Sequence, residues 1–192
     1  MAAVVVAQER LDGWIVRHAG DLKNALRIVF GIIWIIDGTF KFYYNYSNQF
    51  ATDVGIAASG QPAWLAGWFS FWQTQANGDP HLWVYMAGTF ELLLGLALIF
   101  GFMRKIAYSL GIVLSMFIWA VPEGFGGAYG PGSTDIGTGI VYAVVMVLLI
   151  ILEATYGPTR LSLDMWLEQR WPSWARVAEF KGFERGPLTA PP

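Results

Sequence analysis

The apolar positions of this chain gather into four long runs separated by polar stretches. They extend from about Leu26 to Tyr44, Leu82 to Met103, Ile106 to Val121 and Ile136 to Tyr156. A helix needs roughly 20 mostly apolar residues to cross a hydrocarbon core about 30 Å thick. The runs therefore predict four membrane-spanning helices. Pro122 stops the third, which is short and gains length if it begins at Arg104 and Lys105 with those side chains snorkelling. Gly157 and Pro158 stop the fourth. Only Arg104 and Lys105 separate the second and third runs, which predicts a tight antiparallel hairpin.

The polar stretches carry patterns of their own. Residues 8–24 read as a polar helix near the headgroups. Between runs one and two, Trp64, Trp68, Phe71 and Trp72 fall at helical spacing on one face, with Pro62 placed as a helix starter. That predicts an interfacial helix, either an aromatic belt in the headgroups or a lid over a cavity. Leu161 to Phe180 mixes Met165, Trp166, Trp171 and Trp174 with charges, an amphipathic interfacial stretch broken at Pro172. The segment from Gly186 to Pro192 reads as a disordered or partner-bound tail. Residues 122–135 are rich in glycine, and one of Ser133, Thr134 or Asp135 is expected to cap the fourth helix. A glycine-rich loop entering a helix can also hold an anion, although an ordinary flexible turn is the simpler reading.

Composition and charge then fix the class and the orientation. The 192 residues are 55% hydrophobic and only 14% charged, against about 25% charged in globular domains. Eleven of the twelve Lys and Arg residues lie in or beside the N-terminal segment, the 104–105 link and the segment after run four. By the positive-inside rule these are cytoplasmic. The expected architecture is an all-α integral membrane four-helix bundle with both termini cytoplasmic. Residues 1–24 form a cytoplasmic N-terminal segment, 25–157 the transmembrane domain, and 158–192 the interfacial helix and tail. Ala2 to Ala7 is too short for the apolar core of a secretory signal. A net charge of −2 and the lack of a basic, aromatic-laced face give no expectation of nucleic-acid binding.

The twelfth basic residue, Lys41, lies inside run one, four positions after Asp37 and on the same helical face. By helical rise Asp37 sits about 16 Å from the inner end of its span, and Glu91 about 14 Å from the outer end of the next. The two carboxylates are thus expected at similar depth. Lys41 leans toward that level, so one ammonium is expected to reach both acids. Ionised groups at mid-membrane cost at least about 2.5–3.5 kcal/mol each and face the bundle interior. Two readings remain open. Asp37, Lys41 and Glu91 form either an ion pair that locks two helices, or a proton-accepting site whose surplus carboxyl titrates upward on desolvation. The second suits proton-coupled electron transfer to a quinone, with Trp34, Phe40 and Phe90 lining its ring and access between the first two spans.

Other cofactors have little support. There are no cysteines, so neither a disulfide nor a Cys-ligated iron–sulfur cluster is expected. His18 and His81 fall on opposite predicted sides, which argues against a bis-histidine haem. His81 beside Asp79 or Glu123 reads as a boundary residue rather than a metal ligand, and no metal site is expected. Dinucleotide, phosphate-loop and HExxH signatures are missing.

The string Leu26-Arg-Ile-Val-Phe-Gly31 followed by Asp37-Gly38 and Lys41 resembles the first helix of the DoxX/DoxD membrane family. Phe90-Glu91-Leu-Leu-Leu-Gly-Leu-Ala-Leu98 with Gly101 and Arg104 is similar to its second helix, and Leu161-Ser-Leu-Asp164 to its closing motif. The resemblance covers roughly residues 24–168. It implies a four-helix membrane subunit of a redox complex with protein partners and surrounding lipid. The best-defined type is the small DoxD-like subunit of thiosulfate:quinone oxidoreductase. Lys41 and Glu91 are the intramembrane polar residues that carry over. The alternatives are a structural accessory subunit of a larger membrane complex and a small proton or solute transporter.

Overall fold

A computed structural model describes residues 2–43, 46–127, 136–159 and 161–180, with side chains from residue 13 onward except Ile15. Among these residues the chain is entirely helical. The helices are α1 (Ala2–Phe40), α2 (Tyr46–Ala58), α3 (Ala66–Gly78), α4 (Pro80–Phe100), α5 (Arg104–Ala120), α6 (Thr138–Tyr156), α7 (Leu163–Arg170) and α8 (Ala175–Ala178). Short 3₁₀ turns precede α3 and α8, and another follows α5. Two helices, α4 and α6, are long and apolar enough to cross a membrane. In α1 and α5, charged residues interrupt or begin the apolar run, and α5 has 17 residues.

The expected polar helix over 8–24 and the first apolar run form one continuous element, because no glycine cluster or proline separates them. At 39 residues, α1 is about 58 Å long. It packs antiparallel on α4 through glycines. A β-carbon on Gly31 would meet the Gly95 carbonyl oxygen at 2.8 Å, and one on Gly38 the Gly88 oxygen at 3.0 Å. Small residues spaced seven apart on both helices bring the backbones together. A second close pair forms where Gly139 of α6 lies against the Ser115 carbonyl of α5. Between the pairs lies a core of Phe30, Trp34, Leu94, Leu98, Tyr108, Met146 and Leu149.

The outward faces are apolar. Val29, Ile32 and Ile36 of α1, Leu93 and Leu96 of α4, Leu110 and Val113 of α5, and Val144, Val147 and Ile151 of α6 are all exposed. Fully buried positions, by contrast, include Lys23, Arg27, Glu91, Arg104 and Asp164. That arrangement inverts the usual distribution of a water-soluble protein.

The stretch between α1 and α4 folds as two helices rather than one. α3 buries Phe69, Trp72 and Ala76, an i, i+3, i+7 face, while Trp64 and Phe71 point outward. Of the four aromatics expected on a single face, Trp72 alone is buried, against Val54, Val121, Trp83 and Phe117. Trp68 donates its indole N–H to the Ala120 carbonyl at 3.0 Å, and Gln61 donates to the Ala57 and Gly124 carbonyls. The helices are thereby fastened over the end of α5.

Ser133, Thr134 and Asp135, expected to cap the last long helix, lie outside the described residues. The first turn of α6 is served by Glu123, whose carboxylate oxygens accept from Gly139 N–H at 3.1 and 2.9 Å. Glu123→Ala removes that acceptor. It is expected to cost about 1 kcal/mol, the usual worth of a helix cap, lowering the thermal midpoint by about 2–4 °C. Glu123→Gln, which keeps a carbonyl oxygen, should lose less. Thermal unfolding of purified protein by intrinsic fluorescence checks both.

Candidate functional site

Two separate groups of buried charge hang on this framework. The smaller joins α1, α4 and α6. Gly38 against Gly88 sets the register of α1 on α4, which brings Lys41 within reach of Glu91. The ammonium lies 2.7 Å from Glu91 Oε2 and 5.4 Å from the centre of the Tyr46 ring. The approach is off the hydrogen-bonding direction, so Glu91 is compensated by charge without an aligned donor among the described residues. Glu91 is fully buried, whereas Lys41 retains a little exposure.

The expectation that one ammonium serves both acids is corrected. Asp37 accepts a hydrogen bond from the Tyr142 hydroxyl at 2.9 Å, and the ion pairs of Lys41 among the described residues include Glu91 alone. The side chain at Asp37 leaves α1 toward α6, while Lys41 extends toward α4. Two carboxylates share one cation, and among the described residues Asp37 is the one whose partner is a hydroxyl rather than the ammonium. Tyr142 was not foreseen. A tyrosine in an apolar run carries no local sign of function, and only its position four residues after the start of the sixth helix, opposite Asp37, reveals it.

The three rings expected at this site separate. Trp34 is wholly buried in the core, edge-on to Phe30 at 6.1 Å and to Tyr142 at 5.3 Å, so it supports the site from below. Phe40 and Phe90 are half exposed. Phe90 follows its own face: consecutive residues differ by about 100° around a helix, so Phe90 turns away from the core that holds Glu91 and lines a groove between α4 and α5. The expected access between the first two long helices is closed, because their backbones touch at both glycine pairs. The part-exposed residues of the site, Asp37, Lys41 and Tyr142, instead open it along α1 and α6.

The larger group lies at the other end of the bundle. Arg104, the first residue of α5, pairs with Glu153 of α6, with Asp164 of α7 at 3.0 Å and with Glu168 of α7 at 3.2 Å. Lys23 pairs with Glu153 at 2.8 Å and also donates to the Gly157 carbonyl. Arg27 donates to the Leu98 and Ile99 carbonyls at the C-terminus of α4 and to Leu161 at 2.6 Å, where a cation complements the helix dipole. Asp164 also accepts from the Met103 and Arg104 backbone N–H groups at 2.8 and 2.9 Å, capping α5 from a distant segment, and from the Trp174 indole.

These basic residues were expected at the headgroups, with Arg104 snorkelling. Arg27, Lys23 and Arg104 instead turn inward and are each about 1% exposed, because three carboxylates and a row of helix-end carbonyls receive them. Burial, the largest influence, pushes the Lys23 amine below its ordinary value even though Glu153 pulls the other way. With cations and carboxylates in equal number and interlocked, this group reads as a structural knot. Its acids are Glu153, at the end of an otherwise apolar run, Asp164 of the Leu161–Asp164 motif, and Glu168 one turn further along α7.

Among the described residues, no set of three or more His, Asp or Glu is placed to hold a metal ion. His18 stacks on Trp14 of its own helix at 4.6 Å, and His81 lies 5.6 Å from Tyr85.

The family model for DoxX matches residues 22–123, more than half of the chain. That span takes in Lys41, Glu91 and Arg104 and leaves Tyr142, Glu153 and the 161–164 motif outside. No curated protein matches the chain, and no solved structure matches it.

Proposed function

The chain belongs to the DoxX family, and from that premise we propose that it is a four-helix integral membrane subunit of a quinone-linked oxidoreductase complex, of the DoxD-like, thiosulfate:quinone type. In this reading α1, α4, α5 and α6 span a prokaryotic plasma membrane with both termini in the cytoplasm. Their exposed apolar faces and buried charges support it. Among the described residues, Lys23, Arg27 and Arg104 share one end of the bundle, and the positive-inside rule would make that end cytoplasmic.

The observation that carries the redox reading is the arrangement of Glu91 and Asp37. A fully buried carboxylate is balanced by one lysine, and a second carboxylate one turn away holds a tyrosine hydroxyl. Such a set binds a quinone oxygen through Lys41 and passes protons through Asp37 and Tyr142, the role of positioned acid–base groups. The quinone ring approaches along α1 and α6, where these groups are part-exposed. Electrons come from a partner subunit. A thiol-based step needs that partner too, because this chain has no cysteine.

The competing reading, a structural accessory subunit with Lys41–Glu91 as a helix lock, draws support from the knot around Arg104, where the same fold uses buried ion pairs for packing. Paired substitutions separate the two. Lys41→Met with Glu91→Gln removes both charges together, so the bundle should assemble with its partner as before. If the site is catalytic, quinone reduction by the assembled complex falls by about 10²-fold or more, the usual worth of general acid–base groups. Asp37→Asn should lower turnover while leaving assembly intact. Full turnover in the assembled double variant sinks the redox reading and leaves the lock.

A further inference from the structure

Gly31 lies against Gly95 and Gly38 against Gly88, so the antiparallel α1–α4 contact has a local two-fold relation. It maps Gly31 onto Gly88 and Gly38 onto Gly95. Trp34 and Glu91 each follow the first of these glycines by three positions, so the same relation maps one onto the other. Two-fold mates across an antiparallel helix pair lie on one side of the plane that holds both axes. By the same register Trp34 and Glu91 differ in level by about 1.5 Å, the rise of one residue. Both are 0% exposed. Their shared side is the bundle interior, since Trp34 stands edge-on to Tyr142 of α6.

The two neighbours are complementary, yet they are not bonded to each other. Trp34 Nε1–H has no acceptor among the described residues, and neither Glu91 oxygen has an aligned donor. Buried polar groups in folded proteins are nearly always satisfied. An indole N–H only donates, and an ionised carboxylate only accepts. Whatever links them must therefore accept and donate at once. A cation would serve Glu91 but oppose the indole hydrogen, and an anion would do the reverse. Water does both, and buried waters make about two to four hydrogen bonds to polar groups otherwise without partners. With no exposed surface at either residue, a larger polar ligand has no way in.

Lys41 approaches Glu91 from the Oε2 side, which leaves Oε1 for a second partner. We propose that one internal water molecule is bound between α1 and α4, accepting from Trp34 Nε1 and donating to Glu91 Oε1. Its presence is independent of the redox reading. Within that reading it sets a proton carrier beside a carboxylate that has no exposed surface of its own.

Radiolytic hydroxyl-radical footprinting of the full chain in lipid nanodiscs tests this, because radicals formed from bound water oxidise side chains that bulk water does not reach. Oxidation at Trp34 is expected in short exposures. Met146, an oxidisable side chain that is also 0% exposed and packs on Gly111, should stay unmodified. Lys41→Met with Glu91→Leu removes the acceptor and its counter-charge together, and oxidation at Trp34 should be lost. Lys41→Met with Glu91→Gln keeps a carbonyl oxygen in place, and oxidation should persist. Size-exclusion profiles and circular dichroism confirm that each variant is folded. Turnover is not read, so loss of the water and loss of quinone reduction are distinguishable. An unmodified Trp34 in the wild-type chain would overturn the proposal. So would equal oxidation of Trp34 and Met146, which would mean that radicals pervade the core. Undiminished oxidation of Trp34 in the folded Glu91→Leu double variant, or its loss in the Glu91→Gln one, would detach the signal from the acceptor and overturn it as well.

Discussion

Replacing Arg104 with methionine is expected to destabilise the protein by about 3–5 kcal/mol, the range for removing one partner of a buried ion pair. Three carboxylates depend on this guanidinium: Glu153, Asp164 and Glu168. Once it is gone, Lys23 alone still serves Glu153, and the two α7 acids are left buried without it. The thermal midpoint should fall by roughly 6–20 °C, taking about 2–4 °C per kcal/mol for a chain of this size. Arg104→Lys keeps the charge but loses the planar fork that reaches three acids at once, so it should fall between the two. Intrinsic-fluorescence melting of detergent-purified protein measures both. A double-mutant cycle of Arg104→Met with Glu153→Gln should show a coupling of at least about 1 kcal/mol, as expected for groups in contact. Additive effects would mean that the knot is solvated and its pairs are weak.

Gly95→Ala and Gly55→Ala should move stability in opposite directions. A β-carbon at Gly95 meets the Gly31 carbonyl oxygen and Ile35 Cγ1 at 2.8 Å each. The backbone oxygen belongs to a packed helix and has little room to give. Separating α1 from α4 to admit the methyl is expected to cost about 1–3 kcal/mol, the range for overpacking. At Gly55, inside α2, nothing lies within 4 Å of the added carbon, and alanine should stabilise the helix by about 0.5–1 kcal/mol. Equal shifts in the two melting points would mean that the α1–α4 contact is loose. The same contact sets the register that presents Lys41 to Glu91. Gly95→Ala should therefore also impair any activity that depends on that pair, although position 95 lies a full turn from it.

Much of this was legible in the sequence because it depends on short-range rules. The stops expected at Pro122 and Gly157 fall just after α5 and α6, whereas α4 ends at Phe100, short of the expected Met103, because the backbone turns left-handed at Gly101. The break after α7 falls before Pro172. Membership of the DoxX family could be read from the order of a few motifs. The proximity of Lys41 and Glu91 followed from counting residues along two antiparallel helices. The aromatic stretch was harder. Periodicity placed Trp64, Trp68, Phe71 and Trp72 together, but the docked face of α3 is Phe69, Trp72 and Ala76, because it is buried by α2, the start of α4 and the end of α5 rather than by a flat interface.

Partner choice was not legible. Lys41 had two carboxylates within reach, and the rotation of α1 about its axis gave it one and delivered the other to Tyr142. Arg27, Lys23 and Arg104 marked one side of a membrane in the linear pattern, and tertiary packing turned Lys23 and Arg104 inward onto Glu153, Asp164 and Glu168 and Arg27 onto the carbonyls at the end of α4. Hydropathy and rise per residue fix depth, which is a property of one helix alone. Which groups meet at a given depth depends on how helices are rotated and spaced. Backbone contacts at Gly31, Gly38, Gly88 and Gly95 decide that between residues some 50 or more positions apart. The sequence by itself therefore determined the long apolar helices and the levels of their charges, and the tertiary structure decided the pairs.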